Sequence, residues 1–319
     1  MTPPYQASGV KVAVLILNYN GAELLRNYLP SFQKAARAST YSCRLAVIDN
    51  ASSDASAEIL KNNFPDVAVH ALSANKVLCA YNEVAAKLTD DILIFMNNDI
   101  RVEESFVDPL VAPFLRDEKV FFVTPKCLAA DGRYEGNKTR GRMRFGVYWS
   151  TALFPGYQSQ IDRPGSTLHG GFGAFDRRKF LEINGYDDLY LPGRLEDADL
   201  CFRAYKREWR CLYEPASVVF HEGGMSFHKV FGPRRTLVIN WRNTFLFMWK
   251  NLSDRLLILK AIFWLPARLL WSLISGKTEL FFGFLEALPL YGEARKRREV
   301  LKRSGFFKSV PDRKIFAEV

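Results

Sequence analysis

From Val10 to Leu17 the chain is a near-continuous run of β-branched and apolar residues, the pattern of a strand buried on both faces. A helix is predicted over Glu23 to Ala38, followed by a second strand, Arg44 to Ile48, ending on Asp49-Asn50. Ser53-Asp54 then supplies an N-cap for a helix from Ala55 to Phe64. Val67 to Val69 reads as a short strand, Tyr81 to Leu88 as a helix and Ile92 to Met96 as a fourth strand. Strands alternating with helices predict an α/β domain around a mainly parallel sheet.

Ligands of such sheets collect beyond the carboxyl ends of the strands. Polar clusters stand at three successive ends: Asn18-Tyr19-Asn20, Asp49-Asn50 and Asn97-Asn98-Asp99. One cluster is a turn; three in consecutive βα units form the rim of one site. The first turn carries a single glycine, Gly21, which argues against a dinucleotide-binding domain. In "FMNNDI" a buried strand runs out onto one carboxylate, Asp99, which is either a turn residue or one ligand of a metal.

Residues 101–230 mix loops with shorter elements and include Gly170-Gly171-Phe172-Gly173, where the backbone is open to close approach by a ligand. Beyond them the pattern changes. Leu256 to Leu290 is rich in Leu, Phe and Trp, yet no uncharged stretch reaches the roughly 18 residues of a membrane-crossing helix. Arg268, Ser272, Ser275 and Glu279 form a narrow polar stripe, and Pro266 and Gly276 predict breaks or kinks. Such a helix lies in a membrane interface or packs against a partner. The expected organisation is a body over 1–230, with a first half at about 10–100 and a second at about 101–230. A helical, basic, amphipathic extension over 231–319 follows, either membrane-proximal or packed on that domain.

Charge sharpens that division. The 319 residues carry a formal +10, and from Lys229 onward 18 Lys and Arg face 7 Asp and Glu, a local +11. A basic final third on a near-neutral body suits an anionic surface, and Arg295-Lys296-Arg297-Arg298 favours a bilayer over nucleic acid. The five cysteines show no metal or disulfide spacing and fit reduced thiols in a cytosolic setting. The first residues lack the basic-then-apolar layout of a secretory signal.

A second acidic cluster, Glu196-Asp197-Ala198-Asp199, opens a predicted helix from Asp197 to Tyr205. Acids favour helix N-termini, but three within four residues exceed what capping needs. They repel one another unless a cation, a substrate or Arg203 offsets them, which makes a carboxylate here a general-base candidate.

In order, the segments "VLILNYN", "VIDNASSD", "ILIFMNND", "GGFGAFDRRKFLEINGYDD", "EDADLCFR" and "VVFHEGGMSF" resemble the glycosyltransferase family 2 enzymes, inverting transferases of GT-A fold. The resemblance covers residues 10–230, and Trp241-Arg242-Asn243 is similar to the segment that follows the catalytic domain in relatives. It implies a catalytic domain over 1–230, with a nucleotide-binding half at about 10–100 and an acceptor half at about 101–230, and a nucleotide-sugar donor, with Tyr19 stacked on the base, Asp49 bonded to it and Asn98 near the ribose. Asn18, Asn20, Asn50 and Asn75 complete the nucleotide side. Asp99 would place Mg2+ or Mn2+ on the diphosphate, joined by His221. Asp197 would be the base, Glu196 would support the acceptor side, and Gly171, Phe172 and Gly173 would line it. One Asp suffices for such a cation when phosphate oxygens supply other ligands.

One departure stands out. Relatives carry N-x-G-x(4)-N-x-G before the metal strand; here Asn75 and Asn82 remain, but Val77 and Val84 replace the glycines, so a changed loop path is expected. The activity implied is transfer to a glycan or lipid-linked acceptor, at the cytoplasmic face of a membrane and in peripheral contact with it. The competing readings are a sugar-nucleotide pyrophosphorylase, which lacks its phosphate loop here, and a basic membrane or nucleic-acid adaptor. Acids at strand ends would repel nucleic acid, so none is expected as a partner.

Overall fold

The computed structural model describes residues 5, 9–221, 230–306 and 310–318. Its centre is a ten-stranded mixed sheet. The parallel half comprises β1 (Lys11–Asn18), β2 (Ser42–Asp49), β3 (Ala68–Ala71) and β4 (Ile92–Asn97), in spatial order β4-β1-β2-β3. Asn18 pairs with Asp49 and Leu17 with Asn97, so the three polar strand ends finish at one level of the sheet. That register brings the predicted rim together.

The sheet continues past β4 through short strands and returns. β5 (Ile100–Val102), β6 (Val120–Ala129) and β7 (Tyr134–Gly136) come first; β10 (Gly165–Ser166), β11 (Gly173–Asp176) and β12 (Arg210–His221) follow. β8 (Arg140–Arg144) and β9 (Val147–Thr151) form a separate hairpin. β11 lies antiparallel between β4 and β6, and β12 runs parallel to β6. β12 also pairs antiparallel with β5, setting His221 opposite Ile100, one residue from Asp99.

Alternation along β1 sorts side chains to the two faces. Val12, Val14 and Ile16 meet α1 (Ala22–Ala38), α2 (Ser56–Asn63) and α4 (Val107–Arg116), while Ala13 and Leu15 meet the other face. There lie α3 (Ala80–Lys87), α5 (Arg177–Glu182) and α6 (Glu196–Tyr205), and with them the C-terminal helix α7 (Pro233–Asn251). α7 buries Phe245, Leu246 and Phe247 in the same hydrophobic cluster as Phe175 and Phe202.

Buried polar contacts reinforce that packing. Asp199 of α6 accepts hydrogen bonds from Tyr190, Arg203, Lys250 and Asn251, each at 2.7 Å. Burial alone would raise its carboxyl pKa; Lys250 and Arg203 hold it well below the usual range instead. Lys206 meets Asp312 of the last helix, α11 (Asp312–Glu318), with both side chains fully buried. α8 (Arg255–Ile274), α9 (Glu279–Ala287) and α10 (Tyr291–Arg303) complete the extension. Pro266 sits inside α8 without breaking it, and the chain leaves α8 at Gly276, φ +70°. Among the described residues α8 alone has the length and composition to cross a membrane, despite Lys260 and Arg268.

Candidate active site

Hydrogen bonds tie the strand ends into one unit. Asn18 donates to Asp49 (3.4 Å), Ser52 (3.2 Å) and Ser56 (3.0 Å), and its Oδ1 accepts from Asn98 Nδ2 at 2.7 Å. Gly21 is needed here for space: a Cβ would lie 2.0 Å from Asn98 Nδ2 and 2.6 Å from Asn18 Oδ1. Asn20, at φ +49°, accepts from the Ser53 backbone N–H at 2.7 Å and so fixes the loop after β2 against the loop after β1. Asp54 accepts from the backbone of both Ala22 and Ser56, the first residues of α1 and α2. Tyr19 stands half exposed above this rim, and Asp49 also lines a cavity of about 350 Å3 beside β3 with Lys61, Val69 and Ala71.

Asn50 binds the loop before α3. Its Nδ2 donates to Asn75 (2.8 Å) and its Oδ1 accepts from Lys76 N (2.9 Å). Val77 adopts φ +49°, with its N–H bonded to Asn75 Oδ1 at 2.9 Å. The left-handed turn expected of glycine is therefore kept by a β-branched residue, at a cost of order 1–3 kcal/mol met by these bonds. Val84, at the other glycine position, is a fully buried residue of α3.

Asp99 is buried at the end of β4, with its Oδ2 3.3 Å from His221 Nε2; His221 Nδ1 meets Glu135 Oε2 at 2.8 Å. Its hydrogen bond to Asp99, then Glu135, pushes the imidazole up to about 9 against the opposing effect of burial. Among the described residues no three His, Cys, Asp or Glu side chains converge as metal ligands. The donor set is thus one carboxylate and one imidazole oriented by a second carboxylate. It fits a cation that takes its remaining ligands from substrate oxygens and water, not an ion needing a full protein cage. The rest of that motif, residues 222–227, lies outside the described residues.

The base candidate occupies a different element. Gly193, Arg194 and Leu195 all have positive φ (142°, 79° and 67°), and Leu195 caps α6 in the left-handed region. Asn243 of α7, fully buried, holds this loop by donating to the carbonyls of Tyr190 (2.7 Å), Gly193 (2.7 Å) and Arg194 (2.9 Å). Asp197 Oδ2 lies 2.9 Å from His169 Nδ1, and His169 Nε2 is 3.0 Å from Ser150 Oγ on the β8–β9 hairpin. Both ring nitrogens of His169 are thereby engaged, one by the carboxylate and one by the hydroxyl. Burial would push the Asp197 carboxyl up; the pull of His169 reverses this and holds it below its usual value. Glu196 behaves oppositely: burial and the adjacent Asp197 push it up to about 8, and its Oε2 is enclosed without a hydrogen-bond partner. Glu196 also lines a small cavity with Val77, Leu78 and Cys79, which joins the nucleotide-side loop to the α6 acids.

The glycine stretch needs correction. Phe172 packs in the core with its carbonyl accepting from Thr124 Oγ1 (2.7 Å), and a Cβ on Gly173 would lie 2.3 Å from Val123 O. Gly173 begins β11 and Phe172, just before it, is buried in the core; of the three proposed acceptor-side residues only Gly171 faces open space. His169, Ser150 and Glu135 were missed by sequence reasoning. The chain has four histidines, and two of them pair with the acids singled out, a scarcity that could have flagged His169.

Residues 13–183, more than half of the chain, match the family described as Glycosyl transferase family 2. The chain belongs to glycosyl transferase family 2. Over 187 residues it is 26% identical to a Drosophila melanogaster protein assigned by name as polypeptide N-acetylgalactosaminyltransferase 10, covering 55% of this chain and 29% of that one. The chain thus spans less than a third of that relative. Among solved structures it is similar to GalNAc-T7 with UDP, GalNAc and Mn2+, at TM-score 0.58 and 20% identity, over 79% of this chain and 49% of the other. It is also similar to the mannosyltransferase PcManGT from Pyrobaculum calidifontis in complex with GDP-Man and Mn2+. That likeness has TM-score 0.52 and 16% identity, over 94% of this chain and 86% of that one. The family 2 domain therefore has the GT-A fold, with the helical extension added at its C-terminus. Family membership leaves neither the pyrophosphorylase nor the adaptor reading favoured.

Proposed function

We propose that this family 2 transferase moves a sugar, with inversion, from a nucleoside-diphosphate donor to a hydroxyl of a glycan or lipid-linked acceptor. The observation that carries the reading is the division of acids between two places. Asp99, beside His221, ends a strand in the nucleotide half, whereas Asp197, held by His169, opens a helix in the acceptor half. Tyr19 stacks on the base, Asp49 accepts its N–H, and Asn98 approaches the ribose. Asp99 and His221 would hold Mg2+ or Mn2+, which when bound neutralises charge on the leaving diphosphate. Two structurally similar proteins were crystallised with Mn2+ and nucleotides or nucleotide sugars, which supports that cofactor.

The acceptor oxygen bonds to the anomeric carbon while the carbon–oxygen bond to the diphosphate breaks on the opposite face, its electron pair leaving with phosphate. Asp197 takes the hydroxyl proton, a contribution of about 10²–10⁴-fold. Glu196 adjoins the acceptor. The basic extension favours action at the cytoplasmic face of a membrane. A screen of nucleotide sugars with Mn2+ by thermal shift identifies the donor, after which transfer is assayed. Asp197→Asn is expected to retain donor binding and lose turnover; full turnover in that variant refutes the base assignment.

A further inference from the structure

α8 is turned the wrong way out for water. Its inner side, through Ile258, Ala261, Leu265 and Leu269, packs on the body of the protein. Polar Ser272 is buried there as well, donating to Lys277 O at 2.5 Å. The opposite side exposes Leu259, Ile262, Phe263 (76%), Leu270, Trp271 (69%) and Ile274 (70%). A surface helix of a soluble protein does the reverse.

The β8–β9 hairpin of the catalytic domain, far away in sequence, extends this surface. At its tip a Cβ on Gly146 would come within 2.7 Å of Lys260 O and 2.8 Å of Trp264 Cβ, so the tip sits directly on α8. Phe145 meets the Trp264 ring edge-on at 5.2 Å and remains half exposed, as does Trp149. Arg140, Arg142 and Arg144 alternate along the outer face of β8, and Trp149 pairs with Arg142 across the hairpin. Among the described residues none of these three arginines, nor Arg255, Lys260 or Arg268 of α8, has a carboxylate within salt-bridge distance, whereas Arg44, Lys206 and Lys250 are paired with acids.

We infer that α8 and the β8–β9 hairpin form one docking surface for an anionic lipid bilayer. Because the inner side of α8 is held to the body along its length, the helix lies in the plane of the interface. Its outer apolar side enters the acyl boundary, with arginine and lysine heads at phosphate level and aromatic rings between. These cations, without carboxylate partners of their own, select anionic headgroups over a second protein copy, which would have to bring matching acids to meet them. This deepens the acceptor half of the proposed function and rests on it only for purpose: a surface sharing the hairpin that carries Ser150 brings membrane-bound acceptors close to His169 and Asp197.

The test is flotation of the full chain with vesicles of phosphatidylcholine containing 30% phosphatidylglycerol, against pure phosphatidylcholine, without donor or acceptor. Partition at least ten-fold stronger on anionic vesicles, weakened by salt, is expected. Phe263→Ser with Trp271→Ser should lower it at least ten-fold, and Arg142→Glu with Phe145→Ser, which changes no residue of the C-terminal helices, at least three-fold. Circular dichroism and thermal midpoints establish that both variants fold. Equal binding to both vesicle types, no binding, or a dimer whose contact shields Trp271 overturns the inference. Wild-type partition in the hairpin variant removes the hairpin from it. Donor binding and transfer to a soluble acceptor are measured separately, so failure of the transferase reading is distinguishable from failure of this one.

Discussion

Replacing His169 by alanine removes the side chain that orients Asp197. The contact is a 2.9 Å hydrogen bond to a carboxylate in a partly enclosed site, where Asp197 keeps 22% side-chain exposure. Hydrogen bonds to charged groups are worth about 1.5–3 kcal/mol, and without the pull of His169 the burial of the carboxyl is left unopposed, so its pKa should rise. The base works only when ionised, so activity is lost as pH falls through its pKa, and a raised pKa moves that loss to higher pH. The groups facing the pair are Glu196, Asp199 and Cys201 of α6, Arg194 before it, and Tyr148 and Tyr186. All of them stay in place in the variant. Loss of orientation should also lower kcat by about 10–100-fold with little change in the donor KM. The assay is kcat against pH at saturating donor, with thermal midpoints as a control. His169→Asn sets an amide nitrogen where Nδ1 lies and should restore much of the acid limb. If His169→Ala folds normally, keeps wild-type kcat and loses activity at the same pH, the positioning role is refuted.

Three further outcomes follow from the geometry. Glu196 has a folded pKa of about 8, above its unfolded value of about 4.5, so its contribution to stability is present below pH 4.5 and lost as pH rises toward 8. Glu196→Gln should therefore gain stability relative to wild type between pH 5 and pH 8 in denaturant titrations; a pH-independent difference contradicts the raised pKa. Gly21→Ala forces a Cβ into the Asn18–Asn98 contact and should weaken donor binding at least ten-fold by calorimetry, with the fold retained. Asn243→Ala leaves the carbonyls of Tyr190, Gly193 and Arg194 without their buried donor. It should cost about 2–4 kcal/mol in unfolding free energy and lower kcat more than donor affinity.

Much of this protein was legible in the order of its residues. Local periodicity located the β1, β2 and β4 strands to within two residues, because strands buried on both faces need uninterrupted apolar runs. The polar residues just past them were expected to form one rim and do, since a parallel sheet places those ends side by side. Pairing of Asp99 with His221 followed from family order but not from spacing, since 122 positions separate them.

What only the tertiary structure decided are contacts between segments with no local signature. His169 reads as a loop residue until the fold sets it between Asp197 and Ser150. Asn243 reads as one polar residue in an apolar helix until three carbonyls of a left-handed loop converge on it. Phe172 and Gly173 looked available to a ligand, but Phe172 packs into the core and Gly173 pairs with β4 against the Val123 carbonyl. The polar stripe of α8 was visible in sequence, but its direction was not. A helical pattern states that two faces differ; which face meets water depends on what the rest of the chain packs against it.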